Sequence, residues 1–256
     1  MKHLIYISSF LMLALLASCE QFRSSGGSAS DSTQTAAPAP RFDTLSVSIR
    51  KSVVEGKEYP CYSISVNAIL PDNETASRVL TERLFALKGM APRQAMALFT
   101  DSLESQFSQE LDEFSSLCDD DEEMEYEYHV NCSPVEPIDT ASGVISFLCT
   151  FEVYQGGAHG GYECYYLNFS LNDGHLITLG EVYDGDPCPA MRKKLLRDNG
   201  CRTDEELMDK TQILTLGQLY ATDNFLIEGD SLLFHFNPYE IAPYSAGAIE
   251  VVIPCK

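Results

Sequence analysis

Basic residues are scarce in this sequence of 256 residues, where 17 lysines and arginines stand against 38 aspartates and glutamates and the formal net charge is −21. A nucleic-acid-binding face needs clustered lysine and arginine, so this balance argues against DNA or RNA as a partner. The negative net charge also disfavours recruitment to anionic lipid by charge alone. Beyond residue 19 no apolar run approaches the roughly 20 residues that a transmembrane helix needs, so we expect no membrane span there.

Several catalytic and metal-binding motifs are also missing. The sequence has no C-x-x-C pair, no Cys/His cluster of finger type and no His-Glu-x-x-His, so we predict no metal site and no cofactor. Ser245 lacks the first glycine of a Gly-x-Ser-x-Gly nucleophile motif. The acidic run Asp119–Glu123 lacks the Asp-x-Asp-x-Asp-Gly pattern of a calcium loop and is expected to be a solvated loop.

The N-terminus is typical of an exported protein. Lys2 is followed by a short apolar segment, Leu4–Leu16, which is the pattern of a signal peptide. Leu16-Ala17-Ser18-Cys19 resembles the lipobox of bacterial lipoproteins, in which the cysteine becomes the lipidated first residue of the mature protein. The alternative is an ordinary secretory signal with a chance cysteine. We predict a signal peptide over residues 1–18, lipidation of Cys19 and a location at the bacterial cell envelope, facing the periplasm or the exterior.

The composition then changes twice along the chain. Serine, alanine, glycine, threonine and proline dominate residues 20–40, and such a stretch buries too little apolar surface to offset its ordering entropy. We therefore predict that residues 19–40 form a lipid-anchored flexible linker with a reach of roughly 25 Å. A smaller module over 41–140 and a second module over 141–256 are expected to follow.

Cysteines are plentiful for a chain of this size. An even number remains after Cys19, which in an exported protein suggests up to four disulfides; the candidates are Cys61, Cys118, Cys132, Cys149, Cys164, Cys188, Cys201 and Cys255. Possible pairs are Cys149 with Cys164 across a hairpin and Cys118 with Cys132 around the acidic loop, and free buried thiols are the alternative. A predicted helix, Pro189–Asn199, would hold Cys188 and Cys201 too far apart to pair.

Strand and helix patterns fall in blocks along the chain. Leu45–Ile49 and Tyr62–Asn67 alternate apolar and polar residues, which predicts two paired strands. An apolar stripe at helical spacing predicts a helix packed on a sheet: Met96, Phe99, Leu103, Phe107, Leu111, Phe114 and Leu117. Val144–Tyr154 and Tyr162–Leu171 are predicted to form a further hairpin. Segregated blocks favour an α+β fold with mainly antiparallel sheets, packed helices and two intimately associated modules.

The second half of the chain resembles a known family. The residues that carry the resemblance are Tyr154–Gly160, Leu176–Leu179 and Asn237–Tyr244, followed by Gly247 and Ile253-Pro254. They are similar to the extracytoplasmic, lysozyme-binding domain of the anti-sigma factor RsiV, which also precedes the catalytic domain of some peptidoglycan deacetylases. The resemblance implies an α+β fold and a binding activity. This sequence lacks both the sigma-binding segment and the deacetylase domain, so neither signalling nor catalysis carries over.

The sequence therefore predicts a non-catalytic binding or sensor module. Its partners would be the membrane, through the lipid anchor, and a basic protein of lysozyme type or a wall glycan. His159 and Gly157, in a glycine-rich loop, and Tyr239 and Tyr244, in a proline-containing loop, are the candidate ligand-binding residues. The alternatives are a tight turn with His159 bonded to backbone, and tyrosines packed in the core. A cell-wall hydrolase or deacetylase with an unrecognised active site is the alternative function.

Overall fold

A computed structural model describes residues 40–116, 123–138, 140–213 and 219–255. Cys19, Cys118, the predicted signal peptide and nearly all of the predicted linker lie outside the described residues. Among the described residues, none of the helices combines the length and the apolar composition that a bilayer crossing requires. The fold is α+β, as the block pattern predicted.

The N-terminal part of the described chain is built around a five-stranded sheet. Its strands are β1 (Phe42–Ser52), β2 (Cys61–Pro71), β3 (Glu125–Pro134), β4 (Val144–Tyr154) and β5 (Gly161–Ser170), in that spatial order. The pairing of β2 with β3 is parallel and the other three are antiparallel. The helices α1 (Glu74–Phe85) and α2 (Pro92–Ser115) connect β2 to β3, as a parallel pair requires. The two predicted strand pairs are therefore confirmed, as β1–β2 and β4–β5.

One face of this sheet is covered by the two helices. Phe107 and Leu111 of the predicted stripe are buried against Tyr62 and Ile64 of β2. Met96 and Phe99, about two to four turns earlier in α2, pack against the main core cluster of the sheet. Leu117 of the predicted stripe lies outside the described residues. Over its described part the stripe is a core contact, because its apolar side chains recur on the helical face that meets the sheet.

The C-terminal part forms a smaller three-stranded antiparallel sheet with its own core. Its strands are β6 (Phe225–Glu228), β7 (Ser231–Phe236) and β8 (Ile249–Pro254). The helices α3 (Leu179–Val182), α4 (Cys188–Asp198) and α5 (Asp204–Thr211) precede it, and Met191, Leu195 and Leu207 are buried with the sheet. The predicted module boundary after residue 140 falls between β3 and β4, which pair in one sheet. The smaller sheet begins with β6 at Phe225.

Three buried asparagines, Asn168, Asn224 and Asn237, join the two sheets, and we call them the asparagine clasp. The Asn224 side chain accepts from the backbone N–H of Tyr166 at 2.9 Å and donates to the carbonyl of Cys164 at 2.7 Å. Asn237 accepts from the N–H of Cys164 at 2.7 Å. Together they occupy the free backbone groups of β5, which is the edge strand of the larger sheet.

The disulfide candidates need one correction. Cys149 lies opposite Tyr165 and Cys164 lies opposite Thr150, so the two cysteines are on opposite faces of the sheet. Adjacent side chains along a strand point to opposite faces, and the predicted Cys149–Cys164 bridge is therefore wrong. The seven described cysteines are thiols in this structure: Cys61, Cys132, Cys149, Cys164, Cys188, Cys201 and Cys255.

The turn after β5 holds a histidine between two carboxylates. His175 contacts Asp173 through Nδ1 at 2.7 Å and Glu181 through Nε2 at 3.0 Å. Glu181 also accepts from the backbone and hydroxyl of Thr178, at the start of α3. The hydrogen bond to Asp173 raises the pKa of His175, and the same bond lowers the pKa of Asp173 to about 2.

These pKa shifts predict a pH-dependent contribution of His175 to stability. A raised folded-state pKa stabilises the fold below the ordinary histidine pKa of about 6.5, and the contribution is lost as the pH rises through the folded-state value. Asp173 is charged at any pH above its lowered pKa. We expect His175→Gln to lower the denaturant midpoint at about pH 5 more than at about pH 9. An equal loss at both pH values would contradict an ionic role for His175.

Candidate functional site

The face of the larger sheet that points away from α1 and α2 is polar. One row of side chains crosses three strands, because the register aligns His129 of β3 with Glu152 of β4 and Glu152 with Tyr162 of β5. Ser65 of β2 extends the row beside His129. Alternation along each strand places Val130 and Phe151 on the helix-covered face and these polar residues on the other.

A groove of about 440 Å³ lies over this row, and we call it the outer groove. Its lining comes from β3, β4, β5 and two loops: Glu127, His129, Thr150, Glu152, Val153, Tyr154, Gly160, Gly161, Tyr162, Glu163, Cys164 and Tyr244. No lysine or arginine is among the described residues that line it. The register places the side chain of Glu163 on the helix-covered face, where it accepts from the Tyr165 hydroxyl. The carboxylates that face the groove are therefore those of Glu127 and Glu152.

His129 lies on the floor of the outer groove between a hydroxyl and a carboxylate. Its Nδ1 is 2.6 Å from the Ser65 hydroxyl oxygen. Its Nε2 is 3.6 Å from Glu127 Oε2, which is longer than a hydrogen bond. The Ser65 contact fixes the orientation of the imidazole and leaves its second nitrogen directed toward the acidic side of the groove.

Cys164 lines the outer groove beside these acidic groups. Burial raises the pKa of its thiol, and the charges of Glu152, Glu250 and Glu163 raise it further. A thiol with a raised pKa is a poor nucleophile at neutral pH, because the thiolate is the reactive form. The cysteine therefore offers a neutral, weakly polar side chain to a ligand.

The glycine-rich loop between β4 and β5 forms one rim of the groove. Gly156 and Gly157 have φ angles of +82° and +89°, which side chains rarely adopt. A Cβ atom at Gly160 would lie 2.6 Å from the carbonyl oxygen of Val153, so only glycine lets the chain pass this close. His159 Nδ1 is 2.9 Å from the Gly160 carbonyl oxygen, and Tyr154 donates its hydroxyl to the carbonyl of Gly157 at 3.2 Å.

An aromatic cluster completes the rim, and we call it the tyrosine cluster: His159, Tyr162, Tyr239 and Tyr244. The rings of His159 and Tyr244 are stacked, with centroids 4.0 Å apart and an interplanar angle of 10°. Tyr239 and Tyr162 lie 5.7 Å and 6.1 Å from Tyr244, again between centroids. Tyr239 has a φ of +72° and remains 65% exposed. Tyr239 thus presents a large ring to solvent and is not packed in the core.

Hydrogen bonds hold the proline-containing loop that carries Tyr239. The Tyr239 N–H donates to the Ala242 carbonyl at 3.0 Å, and Tyr220 donates its hydroxyl to Glu240 at 3.1 Å. Burial and the charge of Glu240 raise the pKa of Tyr220 to about 12, so its hydroxyl stays a donor. The loop is therefore fixed on both sides of the exposed ring.

The structure brings together the four candidate residues that the sequence nominated from two loops. Gly157, His159, Tyr239 and Tyr244 lie in or beside the tyrosine cluster, and His159 is also bonded to backbone, as the alternative proposed. Sequence reasoning missed Glu127, His129 and Glu152. Their signal was the alternation within β3 and β4, but only the strand register shows that they share one face. Among the described residues, no group of three or more His, Cys, Asp and Glu side chains could hold a metal ion.

Comparison with known proteins gives a family match over part of the chain. Residues 180–256 match the family described as "Protein of unknown function (DUF3298)". The matched segment runs from α3 to the end of β8 and includes Tyr239 and Tyr244. The strands that form the floor of the groove precede it. No curated protein matches the chain.

Two crystal structures show the same fold. One is a DUF3298 family member from Bacteroides fragilis, with a TM-score of 0.72 and 20% identity over 86% of this chain and 92% of that chain. The other is a DUF3298 family protein from Pseudomonas aeruginosa, with a TM-score of 0.57 and 16% identity over 84% of this chain and 91% of that chain. This protein thus combines a DUF3298 match in its C-terminal part with a fold that is similar, over most of its length, to two DUF3298 structures.

Proposed function

We propose that this protein is a non-catalytic binding module of the bacterial cell envelope, held by lipid on Cys19, whose outer groove takes a basic protein of lysozyme type. One observation carries the proposal. The exposed groove presents Glu127 and Glu152 beside the tyrosine cluster, and the described residues that line it include no basic side chain. A basic partner is the occupant that such a lining favours.

The proposed location rests on the sequence of residues 1–19. The short apolar segment, the small residues and Cys19 coincide in the order of a lipoprotein signal. Two or more acyl chains give stable anchoring, whereas a single chain is marginal. A linker with a reach of roughly 25 Å would then present the groove to partners that approach the membrane.

Charge and aromatic side chains would act at different stages of binding. A net charge of −21 would steer a basic protein toward the chain and raise its association rate. Exposed tyrosines supply contact area at a low cost in side-chain entropy and recur among the residues that dominate binding energy. Tyr239 is the most exposed large hydrophobic residue among those described, at 65%. It is therefore the expected anchor.

Titration calorimetry of lysozyme into the chain that follows Cys19 tests this function, first at about 0.15 M salt and then at about 1 M. We expect saturable one-to-one binding that survives the higher salt. Glu127→Gln/Glu152→Gln and Tyr239→Ala should each weaken it about tenfold or more. The matched control Asp101→Asn/Asp112→Asn removes the same charge from exposed positions on α2 and should bind as the wild type does.

The other outcomes are decisive. If high salt abolishes the binding, or if both double variants weaken it equally, the attraction is a non-specific one to an acidic surface. Either result would overturn the proposal. The alternative outcome is that the protein sediments with insoluble peptidoglycan. If Tyr239→Ala reduces this sedimentation and the Asp101→Asn/Asp112→Asn control does not, the groove is assigned to a wall glycan.

A hydrolase is the second candidate, because Ser65, His129 and Glu127 form a line of hydroxyl, imidazole and carboxylate. That order suits nucleophilic catalysis in principle. The serine contacts Nδ1 instead of Nε2, and the carboxylate at 3.6 Å lies beyond hydrogen-bonding distance, so the relay is incomplete. Release of soluble fragments from wall material, lost in Ser65→Ala, would move this function ahead of binding.

A further inference from the structure

Two buried cysteines face each other across β3 and β4. The register pairs Cys132 directly with Cys149, and their Sγ atoms are 3.0 Å apart. The side chains are 1% and 2% exposed and belong to the core cluster on the helix-covered face. This face is opposite to the outer groove. Neither cysteine lines the outer groove.

The strand ladder places the two cysteines at a position that suits a covalent bridge. Val135 donates its N–H to the carbonyl of Ser146 at 2.8 Å, which makes Val135–Ser146 a hydrogen-bonded pair. Hydrogen-bonded and non-hydrogen-bonded pairs alternate along an antiparallel ladder. Cys132–Cys149 lies an odd number of pairs away, so it is a non-hydrogen-bonded pair. Cα atoms in such pairs are about 4.5 Å apart, which is within the range that disulfides span.

Cys61 and Cys164, the other two described cysteines of the larger sheet, do not compete for either sulfur. Cys164 lies on the opposite face of the sheet, as the register shows. Cys61 is on β2, and Cys132 is aligned with Ala68 of that strand. The interval from position 61 to 68 corresponds to roughly 23 Å along the strand, at about 3.3 Å per residue. That separation exceeds what a disulfide can bridge without moving the backbone.

We propose that Cys132 and Cys149 form a disulfide in the exported protein. One sulfur–sulfur bond forms and two S–H bonds break. The two electrons and two protons pass to the disulfide of an envelope oxidoreductase of the thiol–disulfide exchange class, which becomes a dithiol. The bond joins β3 to β4 on the face behind His129 and Glu152, so it fixes two of the strands that form the floor of the groove.

The timing of this reaction follows from the environment of the sulfurs. The hydrogen bond that Cys149 donates to Cys132, together with burial, raises the pKa of Cys149 well above its ordinary value. Exchange requires an accessible thiolate, and the folded core offers neither access nor ionisation. The disulfide therefore forms before β4 closes onto the core, and once formed it resists reduction until the protein unfolds.

Peptide mapping tests the proposal. The full chain is expressed with its own signal sequence, and its free thiols are trapped by acid followed by alkylation under denaturing conditions. We expect a cross-linked peptide that contains Cys132 and Cys149, and both thiols should become alkylatable only after reduction. The same chain made without its signal sequence in the reducing cytosol should yield both as alkylated thiols. Alkylation of both in the exported chain, or a bond from either to another cysteine, would overturn the proposal.

Unfolding in denaturant with and without reductant gives a second measurement. The loop that closes between residues 132 and 149 predicts roughly a hundredfold change in the unfolding equilibrium constant when the bond is reduced. Cys61→Ala, a buried control in the same sheet, should keep that response, and Cys132→Ala/Cys149→Ala should lose it. A wild type that reductant leaves unchanged would contradict the bond. A double variant that still responds would assign the effect to another cysteine pair.

Discussion

Replacing Gly174 with alanine is expected to lower the free energy of unfolding by about 2–4 kcal/mol. Gly174 has a φ of +75°, and a Cβ atom there would lie 1.8 Å from Asn73 Oδ1. That oxygen accepts from the Ala76 N–H and caps the N-terminus of α1. The added methyl group would therefore impose backbone strain and displace the helix cap at once. Urea unfolding of the two proteins measures the loss.

Two further variants separate these causes. Gly143 has a φ of +74° and nothing within 4 Å of an added Cβ, so Gly143→Ala should cost only the backbone strain of about 1–2 kcal/mol. Asn73→Ala removes both the cap and the clashing atom. The double variant with Gly174→Ala should then cost less than the sum of the two single variants. Strict additivity would show that the contact between Gly174 and Asn73 does not determine the cost.

Asn168→Leu is expected to destabilise the protein by about 3–5 kcal/mol, although leucine has nearly the same size. Asn168 is 1% exposed and donates to the Phe225 carbonyl at 2.7 Å. Its Oδ1 accepts from the Ser146 hydroxyl at 2.7 Å and the Ile227 N–H at 3.2 Å. Leucine would leave these three groups without their hydrogen bonds to Asn168. A buried polar group without a partner lowers the free energy of unfolding by more than the net contribution of the hydrogen bond that it lost.

A matched substitution at an exposed position provides the control. Asn131→Leu changes the same side chain at a solvent-exposed site on β3 and should alter stability by about 0.5 kcal/mol or less. Hydrogen exchange should show faster exchange of the Ile227 N–H in Asn168→Leu, because that donor loses its acceptor. Similar unfolding curves for the two variants would mean that the asparagine clasp adds little to the attachment of the smaller sheet.

The clasp also matters for the candidate site. The floor of the outer groove belongs to the larger sheet, whereas Tyr239 and Tyr244 follow β7 of the smaller sheet. The stacking of His159 on Tyr244 thus spans the two sheets. The contact between the two sheets therefore holds the groove floor and the two tyrosines in place relative to each other. The asparagine clasp is the buried polar part of that contact. Ligand affinity is therefore expected to depend on residues that touch no ligand.

The spacing of apolar residues predicted strands and helices correctly in segments where either the strand period or the helix period dominated. The pairing of β1 with β2, the β4–β5 hairpin and the apolar face of α2 each follow from the spacing of apolar residues in one segment. After the turn at Asn172-Asp173-Gly174, the chain makes only a single bridge between Leu176 and Phe169. The segment is too short for a ladder, because α3 begins at Leu179.

The sequence by itself determined the acidity, the α+β class and the two loops that carry His159 and Tyr239, because composition and short-range periodicity encode these properties. Tertiary structure alone decided the parallel pairing of β2 with β3, the shared face of Glu127, His129 and Glu152, and the asparagine clasp. It also decided that Cys149 faces Cys132 and not Cys164. Each of these depends on strand register, and a shift of one residue in register would move every side chain to the other face.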